Sequence, residues 1–353
     1  MHQQVQCWCG NQNLDDFSSD YKHCSRCETL VYTSLVDANI TQITDESQNF
    51  YGREYWFSHQ EADLDQPDII TRSRTDLSER CLHWLRTVLK YKLMPAKMIE
   101  LGSAHGGFVA LLRHAGYEAI GLELSPWIVD YARQTFNIPV LLGPIEEQQI
   151  ERGSLDAIIM MDVLEHLQDP LKTIHFCLEM LKPDGIMVIQ TPKYPEGMGY
   201  SQLEQEKSIF LKQLKPIDHL YLFSEKAAKI FFEQLGAKYI AFESPFFPQY
   251  DMFLVVSRMP LKPNTIPEIE KALKNSNNGW IIQAILDLDE QLKQLRTNYQ
   301  VIEADHADRM RLINHLDEII RKQNRVLNWL PQNIVRRVLR RFVSHSELQD
   351  NQK

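Results

Sequence analysis

Long apolar runs are missing from this chain of 353 residues: stretches such as Ala157 to Met161 end at an acid, Asp162, far short of the roughly 18 to 20 residues a membrane-spanning helix needs. The opening segment Met1 to Cys7 has neither a basic nor an apolar region, so no secretory leader is legible and the cytoplasm is the expected compartment. Basic charge is not in excess either. With 47 acids against 38 bases the net charge is −9, which excludes a whole-molecule electrostatic grip on nucleic acid. Glycine (14) and proline (16) are too few for a collagen-like or low-complexity chain, and 44% hydrophobic residues suffice for a packed core. Cysteine is scarce as well, but its six copies are not scattered.

Four of them lie in the first 27 residues, as Cys7-x-Cys9 and Cys24-x-x-Cys27, with 14 residues between the couplets, room for a short hairpin. In a reducing compartment such couplets bind metal more often than they pair as disulfides, and four thiolates suit tetrahedral structural zinc. The first couplet is one residue tighter than usual and Glu28 stands where a knuckle often has glycine, so His2 and His23 are the substitute ligands to consider. Cys81 and Cys177 sit singly in helical, apolar contexts.

Four parts are expected along the chain: a zinc knob over residues 1–38, a connector or lid over 39–75, an α/β domain over 76–258 and a helical tail over 259–353. The connector carries Tyr51, Tyr55 and Trp56, which would either fold over a ligand or pack under the knob. Asp76 with Glu79 reads as a capping box opening a helix whose face holds Leu77, Cys81, Trp84, Leu85, Val88 and Leu89. From Lys97, short apolar runs alternate with helical stretches: strands at 98–101, 119–123, 140–142, 157–161 and 186–190, and helices after Ser125-Pro126, over 171–181 and over 224–236. Such alternation makes a doubly wound parallel sheet covered on both faces. Residues 237–243 and 252–257 follow with a link too short for a helical crossover, so that last pair is expected to be antiparallel.

In the tail, Ile281, Ile285, Leu288, Leu292, Leu295, Tyr299 and Ile302 form a heptad seam that breaks at His306 and Arg309, which predicts either self-association or a helix folded back on its own domain. The segment 329–342 sets Arg336, Arg337, Arg340 and Arg341 among apolar residues, a pattern for a partner helix, a solvated face or peripheral membrane contact.

The chemistry is concentrated after the first strand of the sheet. Glu100-Leu101-Gly102-Ser103-Ala104-His105-Gly106-Gly107-Phe108 is a glycine-rich turn feeding a helix, at the carboxyl edge where doubly wound folds bind ligands. A dinucleotide fingerprint would need glycine at 104, and Glu100 would repel a pyrophosphate but stabilise a cation. Glu123 ends the second strand, where an acid can accept both hydroxyls of a ribose. A positively charged adenosine compound fits these residues.

From about Asp76 to Ser257 the sequence resembles the class I S-adenosylmethionine-dependent methyltransferases, in the branch that includes quinone-biosynthesis C- and O-methyltransferases. The resemblance rests on Glu100-x-Gly102-x-Ala104-x-Gly106, Gly121-Leu122-Glu123-Leu124-Ser125, Asp162-Val163-Leu164-Glu165-His166 and Leu181-Lys182-Pro183-Asp184-Gly185. The cysteines, the Tyr51 to Trp56 segment and Asp218-His219-Leu220-Tyr221-Leu222-Phe223-Ser224 also resemble a bacterial subgroup with a zinc knob ahead of the catalytic domain. It implies a seven-stranded Rossmann-like sheet. It also implies that Glu100, Gly102, Ser103, Ala104, His105, Gly106, Phe108, Glu123, Leu124, Ser125, Pro144, Ile145, Met161 and Asp162 surround S-adenosylmethionine. The acceptor would be a small molecule or a sugar-linked intermediate. A hydroxyl acceptor needs a base, for which His219 and His166 are the candidates, with Asp162 bordering the transfer cavity. Two competing readings are a non-catalytic module that binds S-adenosylmethionine and a nicotinamide-dependent oxidoreductase.

Overall fold

In the computed structural model, residues 5–34, 67–329, 333–334 and 336–340 are described. The expectations for Tyr51, Tyr55 and Trp56, for His2, and for residues 330–332, 335, 341 and 342 of the basic segment fall outside them. The chain divides into two compact units, residues 1–286 and 287–353.

The first unit is built on a seven-stranded sheet: β4 (Lys97–Leu101), β5 (Glu118–Glu123), β6 (Val140–Leu142), β7 (Leu155–Met161), β8 (Leu181–Pro192), β10 (Tyr239–Glu243) and β11 (Asp251–Ser257). Their order is β10-β11-β8-β7-β4-β5-β6. β4 through β8 run parallel, while β11 is antiparallel to both β8 and β10. The short link before β11 therefore makes a hairpin, as its length requires. β4, β7 and β8 lie at the centre, buried almost throughout, which is why they read as unbroken apolar runs.

Helices α1 (Ile69–Ser78), α2 (Arg80–Tyr91), α3 (Gly107–Ala115), α4 (Pro126–Phe136), α5 (Pro170–Met180), α6 (Tyr200–Gln205), α7 (Glu225–Gln234), α8 (Ile266–Lys274) and α9 (Gly279–Trp329) complete the fold. α2, α3 and α4 pack on one face of the sheet with the start of α9, and α5 and α7 on the other. Helix starts follow local chemistry: Ser125 caps α4 and Asp169 caps α5, each ahead of a proline.

One helix start differs from expectation. Asp76 opens nothing: α1 begins at Ile69, capped by Asp68, whose carboxylate accepts from the backbone N–H of Ile70 and Thr71. The connector expected to reach residue 75 is therefore helical from 69, and Asp76 is 4% exposed with Arg72, Arg80 and His105 around it. The D-x-x-E spacing misleads because two helices abut at Glu79.

The knob is an antiparallel sheet of β1 (Asp15–Asp16), β2 (Tyr21–Cys24) and β3 (Thr29–Tyr32), closed by a fourth strand, β9 (Tyr221–Phe223), from far along the chain. Trp8 stacks on Phe223 (6.1 Å) and meets Phe231 edge-on (5.0 Å), so the knob is welded to the domain through β9 and α7.

α9 runs unbroken for 51 residues through His306 and Arg309. The seam does not end there: the same spacing resumes at Ile313, Leu316 and Ile320. Among the described residues no helix is long and apolar enough to cross a membrane.

Candidate active site

The turn after β4 folds as its glycines predict. Gly102 and Gly106 adopt φ of +67° and +80°. A Cβ at Gly102 would lie 2.6 Å from Val163 Cγ2, and one at Gly106 would lie 2.5 Å from Ile138 Cδ1. Two non-glycine residues also enter the left-handed region, Ala104 at +46° and Asp162 at +58°. Both line a cavity, and strain held at a cavity wall is typical of functional sites. Glu123 clamps the turn: its carboxylate accepts from the backbone N–H of Ala104 (3.0 Å) and Leu124 (2.7 Å).

Two chambers open at this carboxyl edge. The larger, about 420 Å³, is lined by Leu101, Gly102, Glu123, Leu124, Pro144, Ile145, Leu167 and neighbours, mixing apolar walls with one ribose-competent acid. The smaller, about 190 Å³, is walled by Arg72, Arg80, Glu165, Lys215, His219 and Asp251 among others. Gly102, Asp162 and His166 belong to both, so the chambers meet there.

Of the residues expected around a cofactor, Gly102, Ala104, Glu123, Leu124, Pro144, Ile145, Met161 and Asp162 line the chambers. The others do not. Phe108 points into the core against Trp84 (5.4 Å). His105 turns under the loop, where Nδ1 accepts from the Gly107 N–H and Nε2 donates to Asp76 (3.2 Å). Ser125 is spent on its helix cap, and Gly106 and Ser103 support the turn from behind. Glu100 is 4% exposed beneath α3, and its carboxyl is pushed well up by burial and by nearby Glu123. Glu100, expected to stabilise a cation directly or through water, lines neither chamber, whereas Asp162 stands at their junction.

Asp162 is itself held by residues no local motif revealed. Trp84 Nε1 donates to Gln190 Oε1 (3.0 Å), and Gln190 Nε2 donates to Asp162 Oδ1 (3.1 Å).

Residues 73–241 match the model of a family described as a methyltransferase domain. That segment, just under half of the chain, is similar to methyltransferase domains. Relatives include the ubiquinone biosynthesis O-methyltransferases of Xanthomonas campestris pv. campestris (strain B100), 28% identical over 27% of this chain and 43% of that protein, and of Xanthomonas axonopodis pv. citri, 29% identical over 33% and 54%. The chain thus spans about half the length of the curated relatives it matches. A solved SAM dependent methyltransferase from Aquifex aeolicus is similar over 53% of this chain and 95% of that one, at 15% identity and a TM-score of 0.40.

In the smaller chamber, charge separates the two candidate bases. Burial opposes protonation of His166, but the Asp218 carboxylate 3.0 Å from Nδ1 overrides it and pushes the imidazole up to about 9. His166 is therefore held in the cationic, donating form near neutral pH. His219 is driven the other way, to about 3, by burial and by the positive His166 whose ring centroid is 5.0 Å away. Its Nδ1–H donates to the Gln213 carbonyl (2.8 Å), which leaves Nε2 as an acceptor. Glu165, a member of the resembling motif but not expected in the site, is fully buried and pushed up by that burial to about 7. Thr191 donates to its Oε2 (2.9 Å), whereas Oε1 has no hydrogen-bond partner. Glu165, His166 and His219 each bring one ligand atom within 4.8 Å of the others.

The cysteines converge as expected. Cys7, Cys9, Cys24 and Cys27 place their sulfurs within 4.8 Å of one another, with Cys7 to Cys27 at 3.5 Å and Cys9 to Cys24 at 3.6 Å. Thiolates about 2.3 Å from one tetrahedral zinc stand about 3.8 Å apart, so the four side chains fit that ion. His23 is engaged with Glu28 (3.0 Å) instead, and Glu28 takes the left-handed conformation (φ +61°) that a knuckle glycine would supply. Behind the cluster, Tyr21 OH donates to the backbone carbonyl of His219 (2.9 Å).

Proposed function

We propose that the chain transfers the methyl group of S-adenosylmethionine to a small, polar acceptor seated in the smaller chamber. The observation that carries this reading is the meeting of an adenosine-sized cleft with a charged chamber at Gly102, Asp162 and His166. Glu123 would hold the ribose, the walls at Leu101, Pro144, Ile145 and Leu167 the adenine, and Asp162 the cationic end. The cofactor supplies an electrophilic methyl group; the protein's part is alignment, exclusion of water and management of the acceptor's proton.

For a hydroxyl acceptor, Glu165 Oε1 takes the proton, His166 as a cation steadies the developing oxyanion, and neutral His219 accepts through Nε2 from a neighbouring hydroxyl of the acceptor. The mixture of Arg72, Arg80 and Lys215 with Asp162 and Asp251 favours an acceptor bearing hydroxyls and an anionic group, as a sugar-linked intermediate does. Zinc on the four cysteines would be structural, since four protein ligands leave no open position for chemistry.

Calorimetry tests the cofactor: S-adenosylhomocysteine should bind and NAD should not. Gly102→Ala should weaken S-adenosylhomocysteine binding at least about tenfold, because the added Cβ meets Val163 and the turn's φ is unfavourable to any side chain. Preference for NAD would overturn the assignment. Labelled methyl transfer to a panel of small acceptors tests the activity, and tight cofactor binding without turnover on any of them would instead mark a binding module.

A further inference from the structure

From Leu288 to Ile320, α9 carries a seam spaced alternately by four and three: Leu288, Leu292, Leu295, Tyr299 and Ile302, then the polar pair His306 and Arg309, then Ile313, Leu316 and Ile320. The eight apolar members are 46% to 65% exposed. A stripe of this length, with the strict period of a coiled-coil seam, asks for a facing helix.

We infer that the facing helix is the same helix of a second copy, running antiparallel. The spacing is its own mirror image about the midpoint between His306 and Arg309. An antiparallel two-fold pairing therefore sets Ile302 against Ile313 of the second copy, Tyr299 against Leu316, and Leu295 against Ile320, each layer occurring twice. The polar pair falls at the axis, with His306 opposite Arg309 of the other copy. A neutral imidazole accepts hydrogen bonds from a guanidinium, and Asp305 of the same helix holds Arg309 from the flank (2.8 Å).

A parallel pairing brings every seam residue against itself, so two Arg309 side chains would share one layer, a repulsion with no compensating acceptor in the seam. The flanks discriminate in the same direction. Arg296 and Asp317 each directly follow a seam residue, Leu295 and Leu316, and antiparallel helices bring these flanking positions together. Arg296 then lies beside Asp317 of the second copy, twice over, whereas parallel packing sets Arg296 beside Gln291 and Asp317 beside Leu312. The central polar layer fixes the register, because sliding by one heptad would set His306 and Arg309 against leucine, isoleucine or tyrosine.

Light scattering on the full chain should give twice the chain mass, and Ile302→Asp with Ile313→Asp should return it to a monomer. A monomeric unsubstituted chain, or a dimer that survives both substitutions, overturns the pairing. Direction is read by a spin label on Glu290→Cys, with the unsubstituted chain as the labelling control. At 1.5 Å per residue the antiparallel dimer places the two labels about 50 Å apart, against about 20 Å for parallel helices. A distance near the shorter value overturns the orientation.

Discussion

Glu165→Gln is expected to lower kcat by about 10²- to 10⁴-fold while S-adenosylhomocysteine binding is essentially retained. The side chain lines the acceptor chamber and not the larger cleft, so its loss should fall on turnover. Glutamine keeps the size and the contact with Thr191 but cannot accept a proton. The pH dependence carries the sign of the mechanism. Glu165 acts when deprotonated, so the rate should rise through about pH 7. His166 acts when protonated, so the rate should fall above about pH 9. Both limbs belong to the coupled cluster. Asp218→Asn removes the carboxylate that raises His166, and the alkaline limb should then move to lower pH. A profile flat across this range, or full turnover in the Glu165→Gln variant, would refute the proton-transfer scheme.

Cys24→Ser with Cys27→Ser should abolish zinc binding, about one ion per chain in the native protein, and unfold the knob. Apparent binding energies of structural zinc, about 10 to 16 kcal/mol, are folding energy in domains this small. The damage should reach turnover as well. β3 pairs with β9, Tyr21 hydrogen-bonds the His219 carbonyl, and a displaced catalytic wall can cost about 10² in rate. Elemental analysis settles the metal, and kcat against KM settles the coupling: the acceptor chamber should suffer while cofactor affinity persists. Purified native protein without zinc would remove the metal assignment, and full activity without the knob would remove the coupling.

How much of this was legible in the residues depends on how local the signal was. The strand, glycine turn, helix and second strand at 97–123 form one continuous segment, so Gly102, Ala104 and Glu123 could be read directly. The parallel strands followed from the alternation, and the antiparallel last pair from the short link before β11. Position within a loop does not fix direction, however, and His105 and Phe108 sit in the turn yet face the core. Arg72, Arg80, Gln190 and Asp251 reach the site from α1, α2, β8 and β11, and nothing in their own neighbourhoods marks them. Glu165 belongs to a recognisable motif, but its burial and its oxygen without a hydrogen bond exist only once Thr191 and His166 are packed around it. The cysteines announced the knob; β9, only three residues long, could not announce that it completes the knob's sheet.

The charged chamber also sets a limit on molecular size. An engineered hole of about 150 Å³ in a protein interior admits one benzene ring. At about 190 Å³, this compartment takes one six-membered ring with its substituents and little else. On the proposed reading, an acceptor that inserts a single ring and leaves its remaining bulk, a carrier or a second ring, outside the mouth suits this compartment. Selectivity among candidate acceptors should then be strict toward groups on the inserted ring and lax toward what trails behind it.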